Sequence, residues 1–424
     1  MARESSYSFL REQNIKVLIS CRILWGLTQA LFMPYFSLFA LAQEGVTNEL
    51  LGIAISVKAI GTAILAPLAG YMADSIGRKK MIFAGTILHA ISYLFYLAAR
   101  DFRMIFVGSL FEGLSIVHLP ALQAITHDSL VKSRRGLGLS ATVGLQALPS
   151  LVSPFIGGVF AEELGIDMGM RIGFALAFAV GVAVAFIRLR FLRETLNDNR
   201  MKAESGSLFA LMKESYASMF GLLREYRALR GLIVLSAVDT FFTAITAPFW
   251  IVYAKAIIGL SAFEWGIIEV VAAAVSTLVL IFSGGFADRY GSRGVMLVNL
   301  FLAPWINLSF IFCESFAHVA VFRVLLAIQN AFTMPAATAL VADIVPRESR
   351  GRAVAAVGWQ PIVLSLGAIS TGFFRFPPYF LGSALSGYVY SLDARYPWLL
   401  LAGGYAFGFV ICWFLVNEPE AREE

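Results

Sequence analysis

Six ionisable side chains interrupt otherwise apolar runs: Arg22, Lys58, Glu112, Asp239, Glu269 and Arg323. In hydrocarbon each costs about 2.5 to 3.5 kcal/mol at the centre of a helix, so each is a candidate for function. With a rise of 1.5 Å per residue, Lys58 and Glu112 lie about 12 Å from one end of their runs, and Glu269 and Arg323 lie about 8 to 10 Å from that same end. Each half of the chain thus offers a cation and an acid at matched depth, with the signs exchanged between helices. One buried ion pair per half is expected, Lys58 with Glu112 and Glu269 with Arg323, and a purely structural pair fits as well as a working one. Asp239 and Arg22 lie about 12 and 9 Å from the opposite end of theirs. They are expected to face each other across the two halves. A carboxylate beside an arginine releases its proton, and one that loses that partner while buried captures it. Asp239 is therefore the first proton-coupling candidate, with Arg22 as its partner and Glu112 next in line. The competing expectation is a static pair that only buries both charges.

Placing these groups takes membrane helices. Of 424 residues, 58% are hydrophobic and only 14% charged, against about 25% charged in soluble domains, and the mean hydropathy is +0.75. Runs long enough to cross about 30 Å of hydrocarbon fall at 16–41, 51–73, 81–99, 104–126, 138–160, 172–189, 231–253, 264–286, 295–314, 317–341, 353–388 and 397–416. An open sheet would leave backbone groups unpaired in lipid, so the runs read as twelve helices and the fold as an all-α membrane protein. Basic residues crowd alternate loops: Arg78, Lys79, Lys80, Lys132, Arg134, Arg135, Arg289, Arg293, Arg347, Arg350 and Arg352, with the stretch from Arg188 to Arg230. By the positive-inside rule both termini are cytoplasmic in a multi-pass cell-membrane protein, and the net charge of +5 reports orientation, with no nucleic-acid partner implied. Cys21, Cys313 and Cys412 stand singly as small core residues, with no metal-ligand spacing. The first run is too long for a signal-peptide core and is expected to remain as the first span. No HExxH, P-loop or nucleophile elbow is present, so no enzyme, cofactor or metal site is expected.

The chain repeats itself at half its length. Gly70, Asp74, Gly77 and Arg78 in the second loop recur as Gly284, Asp288, Gly291 and the basic Arg293. Pro120, Ala121, Ala124, Asp128, Arg135 and Gly136 recur as Pro335, Ala336, Ala339, Asp343, Arg350 and Gly351. A duplicated unit follows: a first bundle over 1–189, a linker over 190–230 with an amphipathic helix suggested by Leu208, Leu211, Met212, Met219, Phe220 and Leu223, and a second bundle over 231–424.

These loops resemble the signature of the major facilitator superfamily, of the twelve-helix, drug-efflux-like type. The resemblance implies two pseudo-symmetric six-helix bundles around a central cavity and alternating access by rocking. It implies that Asp74 meets the N-terminal end of the eleventh span near Arg352 to Val354, that Arg78 reaches Asp128, and that Asp343 repeats this with Arg289 or Arg293 as a gate. Cavity and substrate candidates are Gln29, His118, Gln146, Gln329, Asn330, Trp359, Gln360 and Arg375, against a plainer reading as interhelical hydrogen bonds. His118, and His89 less so, titrate near neutrality, though a lone histidine on an apolar helix is commonly a satisfied core residue. Two departures stand out. The arginine of many proton-coupled relatives in span four is Gly108 here, with Arg323 at the mate position; the antiporter signature of span five is partial, keeping Pro154, Gly157 and Gly158 with Ser153 for glycine. Phe373, Phe374, Arg375, Phe376, Pro377 and Pro378 lengthen span eleven and predict an interruption there, with Arg375 near the cavity or the outer mouth. The expectation is a monomeric secondary transporter moving a small organic solute, proton-coupled and tipped toward export. The rivals are an importer or facilitator of an organic anion and a non-transporting receptor or scaffold.

Overall fold

The computed structural model describes residues 12–130, 145, 148–196, 213, 217, 220, 221, 224–345, 353, 357 and 372–416. Its long helices follow the apolar runs: α1 (Gln13–Leu41), α2 (Asn48–Ile76), α3 (Arg78–Ala98), α4 (Phe102–Ser129), α5 (Ser153–Glu163), α6 (Ile166–Phe191), α7 (Leu229–Ile258), α8 (Ala262–Tyr290), α9 (Ser292–Phe312), α10 (Phe316–Ile344), α11 (Phe376–Leu392) and α12 (Tyr396–Leu415). Ten of these are long and apolar enough to cross a membrane over their described residues. The chain is an all-α, multi-pass membrane protein of twelve helices in two six-helix bundles, α1 to α6 and α7 to α12. We call the face with the Gly77 and Gly291 turns the basic end and the other the far end.

Helices outrun the apolar stretches by a few residues because polar caps start them. At the far end Thr47, Asp101 and Ser315 accept from the backbone N–H of Leu50, Met104 and His318, while Ser261 and Glu264 form a reciprocal capping box. Each satisfies a helix-start donor that lipid would leave bare. At the basic end α2 and α8 stop at Gly77 (φ 105°) and Gly291 (φ 78°), a conformation open to glycine and costly for side chains. This is the physical reason for the repeated glycine.

Some spans are bent. α1 carries a 3-10 turn at Met33–Tyr35, α4 one at Ser115–Val117, and α7 ends in a π turn at Ala254–Ile258. The described end of the long eleventh run is a 3-10 turn at Phe373–Arg375 followed by α11, with proline in its first turn. The prolines there start a helix, where a missing N–H costs nothing.

The packing is lopsided along the membrane normal. At the far end one continuous aromatic core draws on both bundles: Trp25, Phe32, Tyr35, Phe39, Tyr93, Tyr96 and Phe174 from the first, and Phe249, Tyr253, Trp265, Phe310 and Trp398 from the second. At the basic end the bundles keep separate cores, one around Leu229, Met296, Leu340 and Cys412 and another around Leu18, Ala69, Ile82 and Ile125. The far-end seam is tight. A Cβ on Gly52 of α2 would lie 2.6 Å from Ser383 O of α11, Asn48 Nδ2 donates to Ser391 Oγ at 3.3 Å, and Phe155 of α5 meets Phe263 of α8 at 5.3 Å between ring centroids.

Candidate functional site

Two of the expected charge pairs meet. Lys58 Nζ lies 2.8 Å from Glu112 Oε2, and the side chains are 7% and 15% exposed. Glu112 also accepts from Tyr96 OH at 2.8 Å, and the ammonium sits 4.9 Å from the Phe36 ring centre, so both charges have second partners. In the other bundle Arg323 Nη2 lies 2.5 Å from Glu269 Oε1, its guanidinium over Trp265. Each acid also faces the opposite bundle: Tyr35 of α1 is within electrostatic reach of Glu269, and Tyr379 of α11 within reach of Glu112.

The third pair differs from expectation. Asp239 Oδ2 binds Arg375 Nη2 at 3.0 Å, while Arg375 Nε donates to Thr240 Oγ1. The 3-10 turn before α11 places Arg375 about 25 Å by helical rise from the far end of α11, deep in the protein and away from the outer mouth. Arg22 does not reach Asp239. It lies within reach of Tyr93 and His89 of α3, His118 of α4 and Arg188 of α6, all in its own bundle. The repeat explains why: the mate of Asp239 is Leu24, and two residues turn a helix by about 200°, which points Arg22 to the opposite side of α1.

Several cavity candidates are interior polar groups in the structure. Gln29 is buried and its Nε2 donates to Tyr93 OH at 2.7 Å, with His89 Nε2 at 3.1 Å. His118 is buried, its Nδ1 2.5 Å from Ser115 O, and the backbone carbonyl of Gln329 accepts from Asn299 Nδ2 at 2.7 Å while its side-chain Oε1 is buried without a hydrogen-bond partner among the described residues. Such bonds hold helices together, as polar groups in lipid must. Asn330 is half-buried on α10. Gln146, Trp359 and Gln360 lie outside the described residues.

At the basic end Arg78 joins Asp128 and sits 3.5 Å from Asp74, whose side chain is 60% exposed. Arg78 also donates to Thr195 Oγ1 at 2.9 Å, which ties the loop to the end of α6. The repeat does not copy this: among the described residues no ion pair joins Asp343 to Arg289 or Arg293, and Arg293 donates to Trp413 O at 2.7 Å. Arg352 and Val354, at the helix end expected to meet Asp74, and the surroundings of Gly70 and Asp288 lie outside the described residues.

Sequence reasoning missed Arg188. It is 3% exposed, lies beside the Cys21 thiol, donates to Thr86 Oγ1 at 2.8 Å and stacks 5.9 Å over Trp25. Only its place inside the last turn of a 26-residue helix set it apart from the topology-setting basic residues.

The profile of the Major Facilitator Superfamily matches residues 18–303 and 232–424. The chain belongs to that superfamily. A multi-drug resistance efflux pump PmrA homolog of Lactococcus lactis subsp. lactis (strain IL1403) is 24% identical over 375 residues, 86% of each chain. Multidrug resistance protein MdtG of Salmonella arizonae is 24% identical over 351 residues, covering 80% of this chain and 83% of its own. In structure, a point mutant of the nucleoside transporter NupG superposes with a TM-score of 0.73 at 15% identity, covering 95% of this chain and all of that one. This major facilitator protein is a membrane transporter, and the paired charges lie where its helices meet.

Proposed function

We propose that this transporter moves a small organic solute by alternating access, coupled to protons and in the direction of export. The observation that carries the reading is the half-buried Asp239, held by Arg375, which also binds Thr240, at the turn before α11. A carboxylate poised between a bonded and a separated state is a proton carrier. The family and the efflux relatives support export of a drug-like solute. The basic end is cytoplasmic, both termini with it, by the distribution of Lys and Arg. Bundles 1–189 and 231–424 rock about the far-end seam, joined by the 190–230 linker. Lys58–Glu112 and Glu269–Arg323 stay paired through the cycle, so the coupling falls to Asp239.

The test uses proteoliposomes carrying an acid-inside pH gradient, with entrapped dye reporting proton release as solutes are added. Asp239→Asn loses proton-driven accumulation and keeps solute exchange down its own gradient. Full proton-driven transport in Asp239→Asn would reduce Asp239 to a structural partner and pass the role to Glu112. Uptake of an organic anion is a second reading, favoured by Arg22, which makes no ion pair among the described residues.

A further inference from the structure

Charge bookkeeping over the buried groups leaves a residue. Lys58, Arg323 and Arg375 are each neutralised by a carboxylate within 3.0 Å, and Arg171 near the far end by Asp167 at 2.9 Å. Arg22 and Arg188 form no ion pair among the described residues, and residues 131–147 contain neither Asp nor Glu. An arginine does not shed its proton in a protein. Two guanidinium groups therefore share one region of the first bundle, in electrostatic reach of each other, with Arg188 Nε buried and without a hydrogen-bond partner. Their neighbours are polar side chains, rings and one thiol: His89, His118, Tyr93, Gln29, Trp25 and Cys21, none of them a carboxylate. Two positive charges held inside the bundle near its basic end, with Arg188 buried, are costly until an anion joins them.

We infer that Arg22 and Arg188 form a binding subsite for the anionic group, carboxylate or phosphate, of an organic substrate. The inference rests on the transporter reading above and narrows its solute. Arg22, half-buried, contacts the anion. Arg188 lies behind it against Trp25 and acts as a positioning residue that adds field and holds the wall of the site. The rings beside them suit an aromatic body attached to the anionic group.

The test is ligand-induced thermal stabilisation of the full chain purified in detergent, with benzoate, neutral benzamide and inorganic phosphate at fixed ionic strength. Benzoate raises the melting temperature of the wild type and benzamide does not. Arg22→Gln weakens benzoate binding about ten- to a hundredfold, as expected for loss of a charged hydrogen bond, and Arg22→Lys restores part of it. Arg188→Gln weakens it less, and Arg100→Gln, an exposed far-end change of equal charge, leaves it unaltered. Equal stabilisation by benzamide, or an Arg22→Gln protein that binds benzoate like the wild type, overturns the proposal. Stabilisation by inorganic phosphate alone also overturns it, because the charge would then hold a resident counter-ion. Asp239-dependent proton-driven transport, measured after the same purified protein is reconstituted into proteoliposomes, separates the two ideas: if it persists while anion selectivity fails, the transporter reading stands and the subsite falls.

Discussion

Lys58→Met, Glu112→Leu and the double variant form a cycle that measures how much the first-bundle pair holds. Removing one partner of a buried pair costs about 3 to 5 kcal/mol, because the other charge is left stranded. The two singles differ here. Without Lys58, Glu112 keeps the Tyr96 hydroxyl at 2.8 Å and can take up a proton, so roughly 3 kcal/mol is expected. Without Glu112, Lys58 keeps only the Phe36 face at 4.9 Å, so roughly 4 kcal/mol is expected. The double variant loses chiefly the Tyr96 hydrogen bond, about 1 to 3 kcal/mol. The coupling is then roughly 4 to 6 kcal/mol, above the usual range of about 0.5 to 3 for residues in contact because each single variant strands a buried charge. Unfolding in mixed dodecylmaltoside and SDS micelles, followed by tryptophan fluorescence, reads it. A coupling under about 0.5 kcal/mol, the value of a solvated surface pair, would sink the reasoning, since the pair would then have water beside it. The mate pair Glu269–Arg323 is 20% and 18% exposed, against 15% and 7% for Glu112 and Lys58. Its coupling is expected to be smaller, on the order of 1 to 2 kcal/mol.

Gly52→Val pushes a side chain into Ser383 O and Ser386 Oγ and costs the sealed far end about 1 to 3 kcal/mol. A cysteine placed by Ser383→Cys then reacts faster with a membrane-impermeant maleimide than in the Gly52 background, and an unchanged rate refutes the seal. Gly77→Ala forces a side chain to φ 105° and lowers unfolding stability by about 1 to 3 kcal/mol; no loss in the same micelle assay would show that the turn relaxes.

What the sequence displayed was whatever depends on one coordinate. Twelve spans, their order, the glycine turns and the depth of each charge follow from hydropathy and a fixed rise, so Lys58 met Glu112 and Glu269 met Arg323. Azimuth around a helix was not displayed. Arg22 and Asp239 matched in depth and still parted, because Arg22 lies two residues from the position that mates with Asp239. Arg375 was harder to place: the two prolines after it signalled an interruption but not its depth, and they proved to begin the helix α11. Arg188 was hidden by its company, one basic residue among many at a helix end, where only the Trp25 face and Thr86 show that it turns inward. Gln29 and His118 are bonded to neighbouring groups, and a polar side chain in lipid looks the same from sequence whether it serves a ligand or a neighbouring helix.

The distribution of partners constrains how such a molecule can move. Among the described residues every ion pair stays inside one bundle: α2 to α4, α8 to α10, α7 to the turn before α11, and the Arg78 loop with α4. Between the bundles the far-end seam is made of close backbone contact, aromatic rings and the Asn48–Ser391 hydrogen bond, worth little singly and easily exchanged for lipid or water. Rocking therefore strands no charge, which would cost several kcal/mol each time. What rocking does change is the reach of Tyr35 to Glu269 and of Tyr379 to Glu112, because each tyrosine belongs to the bundle opposite its acid. Asp239 has no such cross-bundle partner among the described residues, so its link to Arg375 can alter only if α11 shifts against α7 within one bundle. Proton coupling through Asp239 then requires motion at the turn Phe373–Arg375 as well as rocking. A disulfide-free way to separate the two is Arg375→Lys, which keeps the charge and drops the Nε bond to Thr240: it should slow proton-coupled transport several-fold while leaving solute exchange near normal. Equal slowing of both would place the turn in the rocking motion itself.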